Sequence, residues 1–441
     1  MSFLTRTALI TAITTAFASL SWSETLSDIY QSALKNDPVL KSAQATFLAN
    51  KETLVQGRAV LIPQLSASTI LKRPSNSSNN APSDSTIYSV SLRQALFNMP
   101  AWFQFQSAKQ LDKRAQADFA AYQQQLIIRV SQTYLNVLRA HSNNQTRKAE
   151  ELAIQRQLEQ TKERFEVGLI PITDVHEIQA IFDEAKVNSL EASGALDIAF
   201  EQLQVLTGQR FEKLAGLSDK FEAVQPQPAD AEVWADFALT NNLELRSSHY
   251  ATQASEATAK AAKSAHLPQL SLSVDYNKNE FDSPLNGTDT IPEQTTVNLN
   301  FNMPIYSGGL VSSQYRQAKY QATAVAENHQ ATKRNIIQST RSTYQSVVTN
   351  SARVKARKQA ITSAESALKA TQAGYEVGTR NIVDVLMAQR TVYRAKRNYA
   401  NARYDYIISM MQLKAAAGQL SPKDIFELNN WLNSEISINK S

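Results

Sequence analysis

The eleven residues FEVGLIPITDV at 165–175 return as YEVGTRNIVDV at 375–385, without a gap and at an offset of 210 residues. A chain that writes one half twice must fold both halves alike, so this self-similarity constrains the architecture more than any other feature. It runs well beyond these turns. LTGQ at 206–209 answers AAGQ at 416–419, and Tyr134 and Val137 answer Tyr344 and Val347, all at the same offset. Nearer the N-terminus the offset is 205: ALKNDPVLKS (33–42) matches ALTNNLELRS (238–247), and LIPQLS (61–66) matches HLPQLS (266–271). The chain therefore reads as repeat 1 over 24–228 and repeat 2 over 229–441, preceded by residues 1–23.

Those first residues, MSFLTRTALITAITTAFASLSWS, carry one Arg, an apolar run from Ala8 to about Leu20, and then small residues. This is the pattern of a secretory signal, with cleavage expected after Ser23 or after Ala18. Beyond it no window approaches the ~18 uncharged apolar residues of a membrane-spanning helix. The mature chain is expected to be exported without one.

Four segments alternate apolar and polar residues with the strand period of two. IPQLSASTIL (62–71) and IYSVSLRQALF (87–97) lie in repeat 1; LPQLSLSVDY (267–276) and TVNLNFNMPIY (296–306) lie in repeat 2. The connections between them are polar and rich in turn formers. Each copy thus offers one hairpin, 62–97 and 267–306. About ten residues is the length of a tilted transmembrane strand. The polar faces are mostly small and uncharged apart from Arg93 and Asp275, as in a wet lumen, and Tyr88, Phe97, Trp102, Phe103, Tyr276 and Tyr306 gather near strand ends as in an interfacial girdle. A sheet half-buried on a soluble core is the other reading. Four strands cannot close a barrel, and open edges cannot sit in hydrocarbon. The membrane reading therefore requires oligomers, and three chains would supply twelve strands.

Between the strands the texture is helical. Neither proline nor glycine interrupts Ala101–Glu166 or Leu310–Ala373, lengths near 100 Å at ~1.5 Å per residue. Leu126, Val130, Tyr134 and Leu138, and in the second copy Ile336, Thr340, Tyr344 and Val348, form narrow apolar stripes on otherwise polar helices. Such seams pack as coiled coils. Segments 25–60 and 172–207, each near 36 residues, stack to the length of one long helix; 232–265 and 382–417 do so in repeat 2. Segments 208–231 and 418–441 would form a mid-length patch.

The opening turns join each long helix to its returning helix, at the end farthest from the strands. Gly168 and Gly378 suit left-handed helix terminators. Asp174 and Asp384 would meet the free N–H groups of the returning helices, Asp174 forming a capping box with Glu177. The copies differ where Leu169-Ile170-Pro171 becomes Thr379-Arg380-Asn381. An Arg on one tip beside an Asp on its neighbour makes a breakable link.

The order ETLSDIYQSALKNDPVL after the signal, the PQL that opens each hairpin, RFEVGLIPITDV and GYEVGTRNIVDVL together resemble the TolC family of outer-membrane efflux channels, over essentially the whole mature chain. The resemblance implies a mainly α fold with membrane β: a homotrimer with a 12-stranded outer-membrane β-barrel, four strands per chain. A long periplasmic α-helical coiled-coil barrel with a mixed equatorial domain would continue it. It implies a passive exit duct of a tripartite efflux or type I secretion system in a Gram-negative bacterium, exporting small molecules, drugs or proteins. The partners would be a periplasmic adaptor, an inner-membrane pump of RND, ABC or MFS type and outer-membrane lipid. It implies a gate in which Tyr375 and Arg380 bond to Thr173 and Asp174. Adaptor-contacting turns would be Val167-Gly168-Leu169 and Val377-Gly378-Thr379, and Asp384 would form an acidic constriction ring. The family often has a second Asp one turn on; Met387 stands there, which implies one carboxylate ring and weaker block by multivalent cations.

Other classes fit less well. The five histidines, His141, His176, His249, His266 and His329, show no metal-ligand spacing, and there is no cysteine. Motifs for nucleophilic catalysis, phosphate loops or dinucleotide cofactors are missing, so neither an enzyme nor a cofactor is expected. With 45 basic against 40 acidic residues the balance is too even for nucleic acid. A periplasmic adaptor or coiled-coil scaffold is the remaining rival, since it too would carry long helical hairpins.

Overall fold

A computed structural model of the chain describes residues 24–73, 84–283 and 287–439; the expected signal segment lies outside them. Repeat 1 contains α1 (Leu26–Asn36), α2 (Pro38–Ala59), β1 (Gln64–Lys72), β2 (Asp84–Phe97), α3 (Met99–Glu166), α4 (Ile172–Thr207) and β3 (Lys213–Leu217). Repeat 2 contains α5 (Ala231–Asn241), α6 (Leu243–Ser264), β4 (Gln269–Ser283), β5 (Gly287–Asn302), α7 (Leu310–Glu376), α8 (Ile382–Ala416), α9 (Pro422–Asn429) and β6 (Leu432–Asn439).

The long helices run 68 and 67 residues. The segments that precede the hairpins, 25–60 and 232–265, are each two helices rather than one. Pro38 disfavours the helical region for Asp37, whose ψ is 117°, and Asp37 accepts from Leu40 N at 2.8 Å as the cap of α2. Repeat 2 breaks at the same place without proline: Asn242, at ψ 126°, caps α6 by accepting from Leu245 N at 3.0 Å.

The four strands form one antiparallel sheet in the order β1-β2-β4-β5, so the two hairpins join through β2 and β4. Register aligns whole rows across it. Leu65, Leu92, Val274 and Val297 form one row. The next row, Ser66, Ser91, Asp275 and Thr296, is polar, with Ser91 donating to Asp275 at 2.6 Å. Among the described residues no second layer covers the sheet: every residue of β1 is exposed, and Leu65, Leu71, Val297, Leu299 and Phe301 face solvent in the single chain. β4 and β5 reach further than the alternating segments suggest. Asn277–Ser283 and Gly287–Gln294, expected as a polar connection, continue the ladder because neighbouring strands pair their backbones despite polar side chains. β5 stops at Asn302, and Met303–Tyr306 lie beyond it, where Pro304 has no N–H for the ladder.

In the strand-proximal half, α2 packs on α3, α3 on α6 and α6 on α7. In the distal half, α4 packs on α3, α3 on α8 and α8 on α7. Near mid-length, α1, α9 and the two-stranded β3–β6 sheet gather around Tyr134, Leu138, Phe200 and Leu214. Tyr134, fully buried, donates its hydroxyl to Ala215 O at 2.6 Å. The α3 stripe is buried at Leu126, Val130, Tyr134 and Leu138. On α7 it drifts: Ile336 and Thr340 are buried, but the next buried residue is Val347, with Val348 half-buried. Repeated steps of four advance around a helix of 3.6 residues per turn, and a seam must alternate threes and fours to stay on its partner.

Candidate functional site: the paired tips

The two helical turns farthest from the sheet are built alike. At the first, Gly168 has φ 77°, its N–H donates to Phe165 O, and Leu169 N–H donates to Arg164 O, both at 2.9 Å. At the second, Gly378 has φ 76°, its N–H donates to Tyr375 O at 3.1 Å, and Thr379 N–H donates to Gly374 O at 2.9 Å. These are paired six-to-one and five-to-two closures, and the left-handed residue they need is glycine. Both turns leave apolar side chains in solvent: Val167 is 70% exposed, Leu169 73% and Val377 74%.

The returning helices start differently. α8 has a full capping box: Asn381 Oδ1 accepts from Asp384 N at 2.8 Å, and the Asp384 carboxylate accepts from Asn381 N at 3.4 Å. α4 begins after Pro171, which has no side-chain acceptor, and Asp174 is its third residue. The expected Asp174–Glu177 box is therefore not formed; the helix opens three residues too early for Asp174 to be its cap. Thr173 Oγ1 instead donates to Asp174 Oδ1 at 3.4 Å.

One apolar cluster unites the tips. Ile154 and Leu158 of α3, Val175 and Ile178 of α4, and Ile382, Val385 and Leu386 of α8 are all buried in it, with Tyr375 at its margin. Within one chain Arg380 faces Asp384, at 3.8 Å, and Tyr375 accepts from Arg164 at 2.6 Å, with the Arg164 guanidinium 5.4 Å from its ring. Thr173 and Asp174 sit on α4, whose flank away from α3 is open. The structure thus brings Arg380 and Asp384 together, and leaves the Arg380–Asp174 pair unformed inside a single chain.

Several cross-hairpin ties among the described residues escaped the sequence. Besides Arg164–Tyr375, Arg390 of α8 meets Glu184 of α4 at 2.9 Å. Arg397 of α8 meets the buried Glu150 of α3 at 2.7 Å, and Arg147 reaches the same carboxylate at 3.2 Å. The signal available was the spacing of Arg390, Arg394 and Arg397 along one face of α8, though nothing local names their partners. Among the described residues no cluster of three or more His, Asp or Glu could hold a metal, and no helix is long and apolar enough to cross a membrane.

The outer membrane efflux protein family model matches residues 29–209 and 234–419. The outer membrane protein TolC of Vibrio cholerae serotype O1 is 36% identical, covering 96% of this chain and 97% of its own. The outer membrane protein TolC of Escherichia coli strain K12 is also 36% identical, over 96% and 88%. Among solved structures, CusC superposes with a TM-score of 0.79 at 16% identity, over 90% of this chain and 93% of its own. The CmeC outer membrane channel of Campylobacter jejuni gives 0.77 at 19% identity, over 92% and 90%.

Proposed function

The chain belongs to the outer membrane efflux protein family, and on that premise we propose that three copies assemble into one passive duct, gated at its tips. It resides in the outer membrane of a Gram-negative bacterium and serves efflux or type I secretion, exporting small molecules or proteins. The observation that carries the trimer is the sheet. The outer edges of its strands β1 and β5 have no strand partner among the described residues, its apolar rows are exposed, and the hydrocarbon of a bilayer tolerates only a closed set of strands. Three chains close twelve strands with the apolar rows outward. A periplasmic adaptor or scaffold has no use for such a sheet, which argues against that reading.

The gate is proposed between chains. Closing the ring brings the open flank of α4 beside α7 of the next copy, and so sets Asp174 and Thr173 near the neighbouring Arg380 and Tyr375. A charge-assisted hydrogen bond contributes roughly 1.5–3 kcal/mol, and threefold symmetry repeats the set. A periplasmic adaptor that binds the opened tips better than the closed ones, at the exposed Val167-Gly168-Leu169 and Val377-Gly378-Thr379 turns, would shift the equilibrium. An inner-membrane pump supplies the energy. Asp384 gives a single acidic ring at the throat, because Met387, 53% exposed, follows it where a second carboxylate would stand. Arg380→Ser is expected to raise single-channel conductance severalfold in planar bilayers while the trimer remains intact. An unchanged conductance would remove Arg380 from the gate, and a protein forming no channels in bilayers at all would overturn the duct.

A further inference from the structure

Where α5 ends and α6 runs beside α7, a cleft of about 320 Å³ opens over Leu239 and Leu245. Its polar wall is wholly basic or titratable. Arg246 and His249 come from α6, and His329 and Lys333 from α7. Tyr250 completes the wall, and Lys113 of α3 lies 5.7 Å from the centre of its ring. No carboxylate lines the cleft. Glu244, on the same stretch of α6, faces a separate cavity against α2 and α3. Neither Arg246 nor Lys333 makes an ion pair among the described residues.

The two imidazoles are held in position. Their ring centres are 5.9 Å apart. Ser248 donates its proton to Leu245 O at 2.9 Å, so its Oγ, 2.8 Å from His329 Nδ1, accepts from that ring nitrogen. The neutral His329 ring then presents Nε2 as a bare acceptor. Protonation turns Nε2 into a charged donor. His249 takes a hydrogen bond from the Gln253 amide on Nε2 at 2.9 Å, which leaves its Nδ1 as donor. Burial first, then His249 and Lys333, lowers the pKa of His329. An anion lodged among these groups would reverse the last two contributions.

We propose that this cleft binds a small soluble phosphate-bearing anion, with Arg246 and Lys333 as fixed cations, His249 Nδ1 as a donor and His329 recruited by protonation. A guanidinium beside an ammonium suits phosphate oxygens in geometry and charge. A lipid headgroup is poorly placed to fill the site. His249 lies fifteen residues before Ser264, the end of α6 nearest β4, roughly 22 Å at the helical rise. The cleft is complete within one chain, since α3 and α7 flank α6 on its two sides. It is independent of the tips.

The test is calorimetric titration of the full-length protein in neutral detergent with inorganic phosphate, at pH 6.0 and pH 8.0, in two buffers of different ionisation heat. Saturable binding, at least fivefold tighter at pH 6.0 and accompanied by proton uptake, is expected. Lys333→Gln should weaken binding about tenfold at both pH values. His329→Gln should bind with much less pH dependence and proton uptake, its trimer verified by light scattering. No saturable heat at pH 6.0 in the unmutated protein would overturn the site. So would a His329→Gln variant that keeps the full pH dependence. Binding of anionic-lipid vesicles in place of phosphate would refute the soluble ligand.

Discussion

Tyr404 shows what one buried side chain imposes. Burial in the mid-length core pushes its pKa up to about 12, against the usual ~10, and Arg403 and Arg139 offset only part of that. The folded state thus holds its proton where the unfolded chain would release it. The associated stability is complete below pH ~10 and is lost as pH rises from ~10 towards 12, on the order of 2–3 kcal/mol. Unfolding midpoints measured between pH 9 and 12 should fall more steeply for the native protein than for Tyr404→Phe. Equal slopes would mean that the hydroxyl stays solvated. Tyr134, bonded to Ala215, is shifted in the same direction by burial. Neither effect is legible in the sequence: the stripe marks Tyr134 as inward, but the Ala215 carbonyl it meets lies 81 residues away.

Among the elements, the breaks between paired short helices decide the path of the wall. Asp37 both caps α2 and receives Arg129 of α3, at 2.5 Å, while only 2% exposed. Asp37→Ala removes the cap and leaves the partly buried Arg129 guanidinium without its carboxylate, a loss of about 2–4 kcal/mol. Hydrogen exchange should accelerate in the first turn of α2 and around Arg129 of α3, and leave the tips unchanged. Uniform acceleration along the whole chain would contradict a local role. The sequence points to this break through Asp37-Pro38, a dipeptide that disfavours helix. Its equivalent, Asn241-Asn242, is hidden, because asparagine is compatible with both helix and turn and only the neighbouring α8 end selects one. Asn242 donates to Ala416 O at 3.0 Å there. Gly418 packs on the same backbone, and any Cβ on it would clash with Asn241 and Asn242.

For the whole molecule, α4 carries the clearest sign of a missing partner. Val187, Leu190, Ile198 and Val205 are exposed on one stripe at spacings of three, eight and seven, while the opposite face, with Leu196, Phe200 and Leu203, is buried on the chain's own core. Such a seam is expected to pack against the next copy. Leu190→Glu with Ile198→Glu should shift the detergent-solubilised protein from trimer towards monomer by light scattering, with helix content retained. A trimer of unaltered mass and heat resistance would exclude this flank from the interface.

The sequence by itself determined what is periodic or interrupted. The duplication, the two hairpins, the long helices and the glycine turns follow from spacing, strand alternation and breakers, which act within a few residues. Only the tertiary structure decided which of these features meet. It joined the hairpins through β2 and β4, placed Tyr375 on Arg164 and Arg397 on Glu150, and left Asp174 in the first turn of α4, where it caps nothing. The long-range outcomes depend on side-chain direction and desolvation between segments more than 170 residues apart, and no local pattern carries that information.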